Sequence, residues 1–193
     1  MKSDWIKAEK VLENGGLVVL PTDTLYGLTA SVLSKKAVEK IYKIKERDKS
    51  KPLIILIHSL EDLNKFGVKM SKEQSEILRK IWPGKVTIEL EHSLKKFSHI
   101  RANHNYSGFR MIGEKNKNLF DLIKKVGPIV APSANKEGFT PAETIKEAKY
   151  YFGDEVDLYI NAGRKVGEPS TLIRVKNNKV EILRQGKVKI NVK

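Results

Sequence analysis

Apolar positions fall into two alternating rhythms along this chain. Trp5, Ala8 and Leu12 recur at helical spacing behind Ser3 and Asp4, and Gly15-Gly16 closes that helix. Leu17–Leu20 is then a continuous apolar run, read as a buried strand. Ser34 caps a second helix, K-K-A-V-E-K-I-Y-K-I, whose Ala37, Val38, Ile41 and Ile44 mark one face. Leu53–Ile57 is a second buried strand, followed by short helices near 60–66 and 72–81. Ser71 with Gln74, and Thr140-Pro141 with Glu143, have capping-box spacing and predict helices starting near 72 and 141. Val86–Leu90, Phe109–Ile112, Pro128–Ala131 and Val156–Ile160 read as strands, with a helix ending near Gly127. Thr171–Val175 and Val180–Leu183 flank an Asn-Asn pair, the pattern of a hairpin. Helices between strands early and a hairpin late predict α/β architecture with a mixed sheet. No repeat, low-complexity stretch or linker divides the 193 residues, so 1–193 is read as one domain.

Composition narrows the class. The longest aliphatic run, Leu53–Ile57, is far too short to cross a bilayer, and M-K-S-D-W-I-K-A-E-K does not have the pattern of a signal peptide. The chain has no cysteine, which excludes disulfides, thiol catalysis and thiolate metal sites. A cytoplasmic protein with no membrane partner is the expectation. The net charge is +14, and residues 164–193 hold nine Lys/Arg against two Glu, half of that excess. Such a field attracts polyanions: nucleic acid, nucleotides or an anionic membrane face. A surface generally decorated with lysine accounts for much of the same total, so positions carry more weight than the sum.

Four polar stretches lie just beyond apolar runs, where ligands bind in open α/β sheets. The first is P-T-D-T-L-Y-G-L (21–28), with Thr22, Asp23 and Thr24 where the chain must turn. Taken alone it is better explained as turn chemistry. The second, I-K-E-R-D-K-S-K-P-L (44–53), places Lys45, Arg47, Lys49 and Lys51 two apart. In extended chain, which Pro52 favours at Lys51, those four cations share one side and suit a triphosphate. As a helix end they would be a solvated charged segment, a reading that Glu46 and Asp48 favour. The third is I-V-A-P-S-A-N-K-E-G (129–138), with Ser133 and Asn135 two apart. The fourth is G-E-P-S-T-L-I-R-V (167–175) with I-L-R-Q-G (182–186), where Ser170 and Thr171 open a strand and Arg184 closes its partner.

Other chemistries find no support. The chain lacks G-x-x-x-x-G-K-[ST], G-x-G-x-x-G and G-x-S-x-G. His58, His92, His99 and His104 have no metal-ligand spacing and read as surface or loop residues, so no metal site is expected. Aromatics are scattered rather than interleaved with the basic residues, unlike an oligonucleotide-binding face.

In order along the chain stand P-T-D-T-L-Y-G-L, K-E-R-D-K-S-K-P-L, W-P-G-K-V-T, the Arg of G-F-R-M, A-P-S-A-N, P-S-T-L and L-R-Q-G. This series resembles the YrdC-domain family, the threonylcarbamoyl-AMP synthases, over residues 5–187. Each motif is weak alone; seven in order are not turn chemistry. The resemblance implies a twisted open α/β sheet with helices on its faces, around a positively charged cavity. It implies formation of threonylcarbamoyl-AMP and pyrophosphate from L-threonine, bicarbonate and ATP. That adenylate serves threonylcarbamoyladenosine modification of tRNA beside the anticodon, with hand-over to a separate transferase complex.

On this resemblance Lys45 and Arg47 are the expected catalytic residues. Lys45, Arg47, Lys51, Ser133, Asn135 and Arg184 are expected at ATP, and Thr22, Thr24, Tyr26, Arg110, Ser133 and Ser170 at threonine. Core packing is an equal reading of Tyr26. ATP enters as a substrate, with magnesium carried by the nucleotide. No covalent intermediate is needed, because positioning and cations facing the phosphates supply the catalysis. Long family members carry a further C-terminal domain, which is not expected here. The sequence departs from the family pattern at Lys85, at T-A-S-V-L after Leu28, at M-I-G-E after Arg110 and at Arg174. Two other functions stay open: an RNA-binding module without ATP turnover, and a relative that makes a carbamoyl adenylate. Direct tRNA contact stays open as well.

Overall fold

The computed structural model describes residues 2–92, 94–101, 104–176 and 179–190. Helix α1 (Lys2–Glu13) leads into β1 (Val18–Pro21), which turns at once into β2 (Tyr26–Ser31). Helix α2 (Lys35–Ile44) is capped by Ser34, whose hydroxyl accepts the Ala37 N–H. Strand β3 (Ile54–Ile57), a 3-10 helix (Leu60–Phe66) and α3 (Lys72–Ile81) follow, the last opened by the predicted Ser71–Gln74 capping box. Then come β4 (Val86–Glu91), a short α4 (Ser98–Arg101), β5 (Tyr106–Met111), α5 (Lys117–Val126) and β6 (Ile129–Val130). Helix α6 (Ile145–Phe152), β7 (Leu158–Tyr159), β8 (Thr171–Lys176) and β9 (Lys179–Arg184) complete the order.

Among the described residues the strands form one mixed sheet in the order β7-β1-β2-β6-β3-β5-β4-β8-β9. The pairs β1/β7, β3/β5 and β4/β8 are parallel and the others antiparallel. The period-two pleat divides the core between the two faces. Val19, Leu28, Ile55, Ile57, Ile88, Phe109 and Ile173 pack with α2, α3 and α6 on one side. Val18, Leu20, Leu56 and Ile129 pack with Ala8 and Leu12 of α1 and Leu119, Leu122 and Ile123 of α5 on the other.

Several boundaries differ from the sequence reading. Strand β2 was not expected, although Tyr26, Leu28 and Ala30 alternate with Gly27, Thr29 and Ser31; all six are buried. Helix α6 starts at Ile145 rather than 141, because Thr144, not Thr140, accepts the Glu147 N–H as its cap. Val156–Ile160 contributes only Leu158 and Tyr159 as strand, whereas β5 begins three residues earlier than predicted. His92 is not a surface residue. It is buried between Phe66 and Phe109, bonded to Ser107, and burial depresses its pKa to about 4. The hairpin forms as predicted, but its Asn-Asn turn lies outside the described residues.

Candidate active site

The turn between β1 and β2 is built by its own side chains. The Thr22 hydroxyl donates to the Leu25 carbonyl at 2.7 Å, and the Thr24 N–H donates back to the Thr22 Oγ1 at 3.2 Å. Alongside, the chain after β6 zips against β2: Leu28 N–H donates to Pro132 O, and Ala134 N–H to Tyr26 O. This pairing presents Ser133 beside Gly27, where an added Cβ would come within 2.8 Å of the Thr22 methyl. Leu56 and Arg110 are register partners, so Arg110 lies on the sheet face covered elsewhere by α1 and α5. Thr87 and Ser170 meet at 2.7 Å through their hydroxyls, and an Arg184 Nη donates to the Ser170 carbonyl at 2.8 Å. Gly186 of L-R-Q-G permits that contact, since a Cβ there would lie 2.3 Å from the Pro169 carbonyl oxygen.

These elements enclose a cavity of about 70 Å³ lined by Thr22, Thr24, Tyr26, Arg110, Ser133, Ser170 and Arg184, among others. Residues up to 162 positions apart thus converge, and every residue expected at threonine is included. Their roles within the wall differ. Tyr26 is fully buried in the core; its hydroxyl donates to Gly163 O at 2.7 Å and accepts the Ala162 N–H, pinning the 161–169 segment. Tyr26 thus packs in the core while also lining the cavity. Arg110 is paired with Asp23 at 3.0 Å, and both side chains are almost completely buried. Burial pushes the Arg110 pKa down, with Asp23 opposing, and burial and then Arg110 push Arg184 down.

The cations expected at the phosphates are arranged otherwise than extended chain predicts. Lys45 is the C-cap of α2, Glu46 has a left-handed φ of 52°, and Lys51 N–H closes a turn onto Asp48 O. The segment is therefore not extended, and the period-two argument does not apply to it. Lys45 instead runs inward: it is 2% exposed and donates to the Ser133 and Asn135 carbonyls at 2.6 and 2.5 Å. Burial first, then the Arg47 charge, pulls its pKa down to about 7, partly opposed by Glu137. Arg47 is half-buried, with one Nη on Pro52 O and its Nε lacking an acceptor. Lys51 is half-exposed and ion-paired with Glu137, whose other oxygen accepts the Asp48 N–H at 2.7 Å. Asn135 is also committed within its loop, accepting from Ser133 Oγ and donating to Lys136 and Phe139 carbonyls. Ser133 links the two sets of residues: it lines the cavity, while its carbonyl accepts from Lys45.

The structure adds four residues that the sequence reading gave no role. Asp23 and Thr87 lay inside quoted motifs, and Glu137 is near A-P-S-A-N. Lys165, partly buried, donates to Thr22 O at 2.8 Å; burial lowers its pKa and Asp23 raises it. Only its place in a Gly-flanked basic segment could have marked it. Among the described residues no group of three or more His, Cys, Asp or Glu is placed to hold a metal ion, and no helix is long and apolar enough to cross a membrane.

Comparison with known proteins decides the family. The Sua5/YciO/YrdC model, described as telomere recombination, matches residues 10–186. The chain belongs to this family. A Methanocaldococcus jannaschii protein provisionally named a threonylcarbamoyl-AMP synthase is 32% identical over 183 residues, 94% of this chain and 85% of the relative. The threonylcarbamoyl-AMP synthase of Pyrococcus abyssi is 32% identical over 91% of this chain but 52% of its own length. A crystal structure of P. abyssi Sua5 complexed with L-threonine superposes with a TM-score of 0.87 at 29% identity, covering 96% of this chain and 55% of that one. The chain therefore spans about half of the P. abyssi protein. The family and enzyme class expected from the motif order are those of these Sua5/YciO/YrdC relatives.

Proposed function

We propose that the protein is a threonylcarbamoyl-AMP synthase. The reaction joins L-threonine, bicarbonate and ATP into threonylcarbamoyl-AMP, pyrophosphate and water. The threonine nitrogen and bicarbonate give a carbamate with loss of water, and a carbamate oxygen attacks the α-phosphorus of ATP, expelling pyrophosphate. The observation that carries this reading is the cavity itself. A buried guanidinium, Arg110, and the hydroxyl-bearing Thr24, Ser133 and Ser170 close on a space suited to a small polar amino acid, in a chain whose fold matches a relative complexed with L-threonine.

A cavity of about 70 Å³ does not hold a nucleotide as well. ATP is assigned to the rim, with Arg184 from the cavity wall and with Lys45, which holds the Ser133 carbonyl, and its neighbours Arg47 and Lys51. Cations there stabilise charge on the phosphates, and magnesium travels with the nucleotide. The adenylate then passes to a separate enzyme for threonylcarbamoyladenosine formation on tRNA.

Pyrophosphate release with single amino acids tests the proposal. A site that bonds the substrate hydroxyl rejects valine by about a hundredfold or more, and serine is also poorer for want of the methyl group. Equal rates with threonine and valine contradict the assignment. Release that needs no amino acid favours a carbamoyl-adenylate-forming relative. The charge of +14 favours the RNA-binding alternative, which predicts steeply salt-dependent RNA affinity and no release at all.

A further inference from the structure

Asp23, the acid of P-T-D-T, has no role in the proposal above, yet it is the carboxylate set against Arg110. Its Oδ1 lies 3.0 Å from Arg110 Nη2, with both side chains 4% exposed. The pair is held by charge and by the close Nη2–Oδ1 contact, and Arg110 Nε has no hydrogen-bond partner. Arg110 lines the cavity, whereas Asp23 is not among its lining residues. The other charged groups facing this pair are Arg184, repelled by Arg110, and Lys165, attracted by Asp23. Cations thus outnumber acids here, with Asp23 as the internal counter-charge.

A guanidinium offers five donors in a rigid fork, and one carboxylate uses only part of it. Buried and unpaired, such a group is costly; paired on one side, it keeps donors for a second anion. We propose that Asp23 is a positioning residue that holds the Arg110 guanidinium in the cavity wall, so that its remaining donors receive the carboxylate of the amino-acid substrate. The inference rests on the threonine reading and deepens it. It also accounts for Asp23 within a turn that Thr22 already closes without help.

Calorimetric titration of L-threonine into the wild-type protein, Asp23→Asn, Arg110→Gln and the double variant tests it, with ATP titrated in parallel. Asp23→Asn weakens threonine about tenfold or more, leaves ATP affinity within about twofold, and adds nothing further in the Arg110→Gln background. An unchanged threonine affinity, or a loss that adds fully to that of Arg110→Gln, overturns the assignment. Where Asp23→Asn does not fold, Asp23→Glu decides: its longer side chain displaces Arg110 and costs about threefold or more in threonine affinity, whereas wild-type affinity overturns the assignment. Wild-type protein that binds no threonine overturns the functional reading and this inference with it; wild-type binding with no effect of Asp23 overturns the inference alone.

Discussion

Titration of ATP into the protein at pH 8 should draw close to one proton from the buffer, with Lys45 as the acceptor. Lys45 is buried, and that burial, reinforced by Arg47, brings its pKa down to about 7. At pH 8 about nine-tenths of the free protein then carries a neutral amine, which still has the two N–H donors that the Ser133 and Asn135 carbonyls occupy. A triphosphate beside Nζ favours the ammonium form. Uptake is therefore about 0.9 proton at pH 8, and the protonation costs about 1.4 kcal/mol, or about tenfold in affinity. Calorimetry in two buffers of different ionisation enthalpy measures the uptake, and Lys45→Met should abolish it. No uptake in the wild-type protein, or full uptake in Lys45→Met, refutes the reasoning. Stability gives an independent check. With the folded pKa near 7 and the unfolded value near 10.5, the unfolded chain binds more protons between those limits. Stability therefore rises with pH across that window, by up to about 1.4 kcal/mol per unit from this group, and Lys45→Met removes that slope.

Three further outcomes follow from contacts around the site. Glu137→Gln removes the charge paired with Lys51 and so frees that ammonium for a phosphate, and ATP should bind several-fold tighter by calorimetry; with an exposed pair contributing only about 0–1 kcal/mol, the melting temperature should barely move. Tyr26→Phe loses the bonds to Gly163 O and Ala162 N–H, costing about 1 kcal/mol in denaturant unfolding and speeding hydrogen exchange at Ala162. Gly186→Ala drives a methyl group into the Pro169 and Ser170 backbone, for which a loss of about 1–3 kcal/mol in unfolding free energy is expected.

The sequence made some of this legible for identifiable reasons. Ser133 and Ser170 border apolar strands, and strand ends in α/β sheets converge, so their stretches could be collected in advance, whereas Arg110, inside β5, was marked only by the family resemblance. The cations proposed for the phosphates were legible as a set, but their geometry was not. Period two required extended chain, whereas α2 runs on to Lys45 and the backbone reverses through a left-handed Glu46. Strand β2 escaped because Y-G-L-T-A-S is small and polar on one face, a face that is nonetheless buried against its neighbours. The Asp23–Arg110 pair was not legible at all. Its members are 87 positions apart, and nothing local in either motif records that the β1–β2 turn and β5 meet.

The most direct test of the central claim is the identity of the product formed from ATP, L-threonine and ¹³C-bicarbonate, followed by mass spectrometry with pyrophosphate measured in the same samples. The account predicts an AMP adduct carrying one threonine and one ¹³C carbonyl, formed in a one-to-one ratio with pyrophosphate and absent when threonine or bicarbonate is omitted. Release of ADP and phosphate in place of pyrophosphate, or an adenylate lacking the labelled carbon, would contradict it.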